Sequence, residues 1–289
     1  MTHVTTYQQI TKALTVLDIA QPIVEKFDKS TTIAEFISVL GDATQLSGIV
    51  VVTESERPFA FITLPAYFEN EDQSCSIATK AQAINLRSVL SSNVTLYELL
   101  PLWKHSYHYF ILNGAEITHF VNEHHMNSAP VKTALFAITA EFEDMILQLL
   151  MRDASKVKER FEILCLRERQ RIEKTCHEYF PKPEVPPLNN IHSEKSFLYI
   201  QHTLFSQKIK ILKSSPDLIK FAFPDADETL LSQNLDRIKK FRNGMAHGGS
   251  LSTVVKGMEE LNEIVDLLES TIIDLRRTLN ELPVVAMPR

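Results

Sequence analysis

The chain has 289 residues, 44% hydrophobic and 23% charged, a globular balance that excludes wholesale disorder and predicts two domains at about 100–200 residues each. With only 7 glycines and neither G-x-G-x-x-G nor G-x-x-x-x-G-K-[ST], Rossmann and P-loop chemistry are excluded, and no apolar run approaches the roughly 18 residues of a membrane helix. The net charge of −6 lies wholly in residues 1–130, with 7 basic and 13 acidic side chains; residues 131–289 carry 23 of each, so only they can approach a polyanion without strong repulsion.

The N-terminus, Met1-Thr2-His3-Val4-Thr5-Thr6, has no basic region leading into an apolar stretch, which predicts no signal peptide and a cytoplasmic protein. The three cysteines, Cys75, Cys165 and Cys176, lack C-x-x-C spacing, which argues against a disulfide framework or zinc knuckle. A repeat then occupies the first half. Thr32-Ile33-Ala34-Glu35-Phe36, Ile49-Val50-Val51-Val52 and Phe59-Ala60-Phe61-Ile62-Thr63 return as Thr95-Leu96-Tyr97-Glu98-Leu99, Tyr109-Phe110-Ile111-Leu112 and Ile117-Thr118-His119-Phe120-Val121. Each copy predicts a helix opened by Thr, a buried strand, a turn and a second strand. The turns are Glu54-Ser55-Glu56-Arg57-Pro58 and Asn113-Gly114-Ala115. One copy is too small to bury both strand faces, so two copies are expected to pair. His105, His108, His119, His124 and His125 fit no standard metal spacing and are expected at the surface or packed. Trp103, Tyr107, Tyr109 and Phe110 are expected in the sheet core.

The pattern strand–helix–strand–strand–helix, twice, with a Thr-[Ile/Leu]-x-Glu-[Phe/Leu] helix start, resembles the tandem cystathionine-β-synthase (CBS) domain pair, or Bateman module, over about residues 12–130. The resemblance implies an adenosine nucleotide held by a Thr or Ser and an Asp after the last strand of each unit. Thr63 matches the Thr, but Ala66 stands at the Asp position; Val121 and His124 occupy the two positions of the second unit. The ribose-binding carboxylate is missing from both, so a platform role or an atypical ligand stands beside nucleotide binding.

From Pro130 the period becomes helical. Leu135, Ile138, Phe142, Met145 and Leu149 share one helix face, and a charged helix is expected over about Ser155–Tyr179, with Cys165 and Cys176 inert on it. Pro181-Lys182-Pro183-Glu184-Val185-Pro186-Pro187 must be a loop, and a helix follows from about Ser193 to Leu212. Asp225 and Glu228 have capping-box spacing for the next helix, which should stop at Gly248-Gly249. Val254, Met258, Leu261, Val265, Leu268, Ile272, Leu275 and Leu279 form a heptad stripe suited to bundle packing or a dimer seam. The expected fold class is therefore α+β: a CBS-like tandem repeat over 1–130, then an all-α bundle of about five helices over 131–289.

Three of the seven glycines fall in Arg242-Asn243-Gly244-Met245-Ala246-His247-Gly248-Gly249. Asn243 and His247 share a helix face, and Arg242 flanks them. A histidine titrating near neutrality can act as general base or acid on a ribose 2′-hydroxyl, and an arginine fork can stabilise the phosphorane that forms. The bland alternative is a cation and a histidine complementing a helix C-terminus before a glycine cap. At the end of a helix in an all-α bundle, this octapeptide resembles the HEPN motif Arg-[Asn/Asp/His]-x-x-x-His, a resemblance covering about residues 131–289. It implies a metal-independent endoribonuclease, usually a homodimer and often a toxin or antiphage effector, with no cofactor or metal ion. It also implies RNA as substrate, an antitoxin or regulatory partner, and Glu141 or Glu143 orienting Arg242. Arg237, Lys239 and Lys240 lead into the motif and are the expected RNA contacts. The alternative is a catalytically silent module that dimerises and binds a nucleotide or partner protein.

Overall fold

A computed structural model describes residues 4–41, 48–64, 72–103, 108–179, 196–246 and 250–280. The fold is mixed: two four-stranded sheets in the N-terminal region, helices in the rest. The chain divides into two compact units, Ile10–Lys132 and Met1–Gln9 with Thr133–Arg289. The second unit thus takes in the start of the chain, which the sequence reading had placed with the repeat. The reason is local: Thr5 and Tyr7 are buried, Thr6 N–H donates to Glu141 Oε2 at 2.6 Å, and Arg276 Nη1 donates to the Val4 carbonyl at 3.0 Å.

After α1 (Thr6–Ala13), the first unit runs β1 (Gln21–Pro22), β2 (Glu25–Asp28), α2 (Ile33–Leu40), β3 (Gly48–Glu54), β4 (Arg57–Leu64), β5 (Gln82–Ala83), β6 (Val89–Ser91), α3 (Leu96–Leu102), β7 (His108–Asn113) and β8 (Glu116–Asn122). One sheet has the order β2-β3-β4-β5, the other β1-β8-β7-β6. In each, a parallel pair (β2 with β3, β6 with β7) is followed by an antiparallel hairpin (β3 with β4, β7 with β8). The repeat is therefore physical, and its copies exchange edges. β1 precedes the first copy but pairs with β8 of the second, while β5 precedes the second copy and pairs with β4 of the first. The backbone bonds match: Ile23 N–H donates to the Thr118 carbonyl at 3.1 Å and Ile84 N–H to that of Phe59 at 2.9 Å. Likewise Leu96 N–H donates to the Leu14 carbonyl and Ile33 N–H to that of Cys75, both at 2.9 Å. Each copy needs the other to complete its sheet.

Both helices of the repeat open with a reciprocal cap. Thr32 Oγ1 accepts from Glu35 N–H at 3.2 Å and Glu35 Oε2 from Thr32 N–H at 2.8 Å; Thr95 and Glu98 do the same at 3.3 and 2.9 Å. The threonine backbone N–H, then the threonine hydroxyl, hold the Glu35 and Glu98 carboxyls below the ordinary 4.5. A folded-state value below the unfolded one stabilises above that pH and is lost as pH falls through the folded value. We therefore expect the thermal midpoint to fall as pH drops from about 5 towards 3, and to fall less steeply in Glu35→Gln/Glu98→Gln, read by circular dichroism.

The β3–β4 turn places Ser55 (φ 49°) and Glu56 (φ 66°) in the left-handed region, the type I′ geometry that matches strand twist; the second copy uses Gly114 (φ 64°) there. Ile49, Val50, Val51 and Val52 are all fully buried, because β3 is covered on both faces. One face joins Phe36 of α2; the other brings Ile49 and Phe61 against Phe110 and Phe120 of the second sheet, with the Phe61 and Phe110 ring centroids 4.9 Å apart. Trp103, Tyr109 and Phe110 are core residues. Tyr107 and His105 lie outside the described residues.

From Ala129 on, the described helices number nine rather than the expected five. They are α4 (Ala129–Met151), α5 (Ala154–Glu162), α6 (Leu166–Tyr179), α7 (Ser196–Gln201), α8 (Phe205–Lys213), α9 (Pro216–Ala222), α10 (Glu228–Ala246), α11 (Leu251–Val254) and α12 (Met258–Asn280). The charged stretch breaks where Leu164 turns into the core and Glu168 Oε2 accepts from Cys165 N–H at 2.9 Å, so Cys165 sits exposed in the break rather than within a helix. Cys176 is buried on α6; burial, aided by Glu173, pushes its thiol up to about 11. The helix expected over 193–212 breaks at Thr203-Leu204, where Leu204 N–H donates to Gln207 Oε1 at 2.8 Å. The cap of α10 is Asp227, whose Oδ1 accepts from Leu230 N–H at 2.7 Å, not Asp225. The proline loop at 181–187 and the stop at Gly248-Gly249 lie outside the described residues. In the heptad stripe Leu261, Val265, Leu268, Ile272 and Leu275 are buried within their own unit, so those positions serve bundle packing and offer no dimer seam.

Candidate functional site

Four helices of the second unit build the surroundings of Arg242. α4 contributes Phe142 and Glu143, α8 contributes Phe205 and Lys208, α10 carries Arg242 near its C-terminal end, and α11 backs onto α10. Phe142 meets Phe205 edge-on with ring centroids 6.1 Å apart, and the Arg242 guanidinium lies 5.6 Å from the Phe205 centroid. Arg242 Nη2 donates to Glu143 Oε2 at 3.0 Å. The other oxygen of that carboxylate, Oε1, accepts from Lys208 Nζ at 2.7 Å, and the same ammonium donates to the Thr203 carbonyl at 2.8 Å. One carboxylate thus bridges two cations, leaving the trio with a net positive charge at the C-terminal end of a helix, where the helix dipole favours cations.

The Arg242 side chain is 25% exposed, and its Nε makes no hydrogen bond among the described residues. That Nε is buried, so with Nη2 tethered it is the Nη edge of the guanidinium that can meet an anion. Asn243 is half-buried beside it. His247 lies outside the described residues.

The two acidic candidates separate. Glu143 reaches Arg242. Glu141 pairs instead with Arg276 of α12 and caps Thr6 N–H, so it ties down the start of the chain and does not orient Arg242. The expected RNA contacts separate too. Arg237 pairs with Glu263 at 2.7 Å, and Lys239 with Asp236 at 2.7 Å. Asp236 also takes Lys213 at 2.8 Å, and the two lysine hydrogen bonds hold its carboxyl below the usual range. Lys240 is exposed and makes no ion pair among the described residues. Two of the three cations are therefore already matched by acids, which weakens the basic strip.

Gly244 lies inside α10. A Cβ there would come within 2.6 Å of Val254 Cγ2 and 3.2 Å of Val254 Cβ. Glycine at this position of the motif allows α11 to approach α10. Gly244→Ala gains about 1 kcal/mol of helix propensity but overpacks a β-branched neighbour at about 1–3 kcal/mol. We expect a net loss of about 1 kcal/mol, read as a lower urea midpoint.

Sequence reasoning missed Lys208 and Phe205. A signal was present: Phe205, Lys208, Ile209 and Leu212 follow the i, i+3, i+4, i+7 spacing of one helix face, and all four are buried. A lysine on such a face requires a partner, and pairing with Glu143 supplies it.

In the first unit a cavity of about 590 Å³ opens where β4 and β8 end and β7 begins, lined by Gln21, Thr63, His108, Asn122, Glu123, His124 and His125, among others. Burial holds the His108 and His125 imidazoles below their ordinary value, with Glu123 partly opposing this at His108. His108 packs on Phe61 and His125 edge-on to Phe120. The position of Ala66 lies outside the described residues. Among the described residues no group of three or more His, Cys, Asp or Glu is placed to hold a metal ion, and no helix is long and apolar enough to cross a membrane. Comparison of the chain with protein-family models, with curated proteins and with solved structures finds no match.

Proposed function

We propose that the helical unit is an endoribonuclease of the HEPN type, active as a homodimer, and that the first unit is a degenerate CBS-like regulatory pair. The observation that carries this reading is the setting of Arg242: a permanently charged fork, tethered at one nitrogen by Glu143, 5.6 Å from the Phe205 ring centroid and a quarter exposed, five residues before His247 in the sequence. In this reading an imidazole takes the proton of an RNA 2′-hydroxyl, whose oxygen attacks the adjacent phosphorus. Arg242 neutralises charge growing on the phosphoryl oxygens. The 5′-oxygen leaves with a proton, giving a 2′,3′-cyclic phosphate and a 5′-hydroxyl. The biological role that fits is a toxin or antiphage effector held in check by a partner protein or by a ligand of the first unit.

The test is incubation of purified wild type and His247→Ala with RNA in the presence of EDTA. Wild type is expected to produce cyclic-phosphate ends, with the variant about 10²–10⁴-fold slower. Equal degradation by both overturns the reading.

A second reading, a catalytically silent binding module, is favoured by the cavity among His108, Asn122, His124 and His125, since mostly pre-formed pockets with a few convergent polar groups take small ligands. A thermal shift with adenosine nucleotides, lost in His108→Ala, supports it.

A further inference from the structure

We infer that Lys208, a residue outside the Arg242–His247 motif, is a positioning residue for Arg242 and acts through Glu143. Three observations converge. Lys208 is only 4% exposed, on the face of α8 that otherwise holds Phe205, Ile209 and Leu212. Its ammonium is fixed at both ends of its reach, by the Thr203 carbonyl at 2.8 Å and by Glu143 Oε1 at 2.7 Å. The carboxylate so fixed gives its other oxygen to Arg242 Nη2 at 3.0 Å.

Packing alone does not account for a lysine here. A Met or Leu fills a buried helix face without desolvating a charge, and replacing a buried ion pair by apolar groups is often neutral or stabilising. What an apolar side chain cannot do is fix the rotation of Glu143. A carboxylate bonded only to Arg242 is free to turn with the guanidinium; bonded also to a buried ammonium, it holds one edge of the fork still. α8 thereby flanks Arg242 twice, through the Phe205 ring, whose centroid lies 5.6 Å from the guanidinium carbon, and through Lys208 and Glu143 at its edge. The geometry presents the remaining N–H groups in one orientation, the preorganisation that a phosphate-binding arginine requires.

The effect on RNA cleavage rests on the nuclease reading above; the positioning itself does not. The experiment therefore has two readouts on the full chain. In ¹⁵N-labelled protein the Arg242 side-chain signals, identified by their loss in Arg242→Lys, are expected to stand apart from those of freely rotating arginines. Lys208→Met is expected to move them into the averaged band. In parallel, Lys208→Met is expected to lower kcat on an RNA substrate about 10–100-fold while KM stays within about twofold, since geometry is lost but charge at Arg242 is kept. Thermal melting checks that the variant is folded. If it is not, Lys208→Leu is read in its place, because it too fills the buried helix face and makes no bond to Glu143 Oε1.

Unchanged Arg242 signals in a folded Lys208 variant overturn the inference, whatever happens to cleavage. Shifted signals with an unchanged kcat overturn its catalytic part. Shifted signals in a protein whose wild type cleaves no RNA uphold the positioning and remove the nuclease reading instead.

Discussion

Replacing Arg242 by alanine is expected to slow RNA cleavage by about 10²–10³-fold while leaving the protein folded. The chemical loss follows from what the fork does: it meets charge that grows on the phosphoryl oxygens only as the phosphorane forms, so its removal is felt in kcat more than in KM. The fold survives because Glu143 keeps a second cation, Lys208 at 2.7 Å, and Phe205 keeps its packing against Phe142. Arg242→Lys is expected to recover little. An ammonium is a point charge and cannot both hold Glu143 and present a planar pair of donors to a phosphate. Single-turnover cleavage of a short RNA by the three proteins, with thermal melting alongside, measures this. Alanine and lysine variants that cleave as fast as wild type rule out a catalytic arginine.

Glu143→Ala acts in the opposite way, on the fold first. It leaves the Lys208 ammonium buried, at 4% exposure, with a carbonyl as its one remaining partner in the network described. Removing one member of a buried pair costs about 3–5 kcal/mol, because the survivor is an uncompensated charge in a medium of low dielectric. That is a large part of the roughly 5–15 kcal/mol that holds a domain together. The double change Glu143→Leu/Lys208→Met removes both charges and keeps the volume, so most of the loss should be recovered. Urea unfolding of the four proteins gives the double-mutant cycle. A Glu143→Ala variant within about 1 kcal/mol of wild type contradicts the burial of this pair. Cleavage by a refolded double variant at the wild-type rate contradicts a role for Glu143 beyond neutralising Lys208.

Part of this site was legible before any coordinates. Arg242, Asn243 and Gly244 were marked by the crowding of rare glycines around an Arg and a His, and the acidic positions on the preceding helix were narrowed to Glu141 and Glu143. Sequence did not separate those two. They are two residues apart on one helix, so they point in different directions, and only the packing of α4 decides which meets α10 and which meets α12. The basic residues were legible as charges, but their neutralisation by Glu263 and Asp236 was not. Ion pairing across helices depends on which faces meet.

By itself the sequence determined the local features of this protein. The Thr-x-x-Glu caps at Thr32 and Thr95, the apolar run from Ile49 to Val52 and the turn at Gly114 arise from bonds and steric limits within a few residues, so they can be read along the chain. Tertiary structure alone decided that β1 and β5 trade sheets, that the first residues join the helical unit, that the heptad stripe packs inward, and that Lys208 rather than a motif residue steadies Glu143. Each of those depends on a contact between residues far apart in the chain, where burial and charge pairing between surfaces outweigh the preference of any one segment.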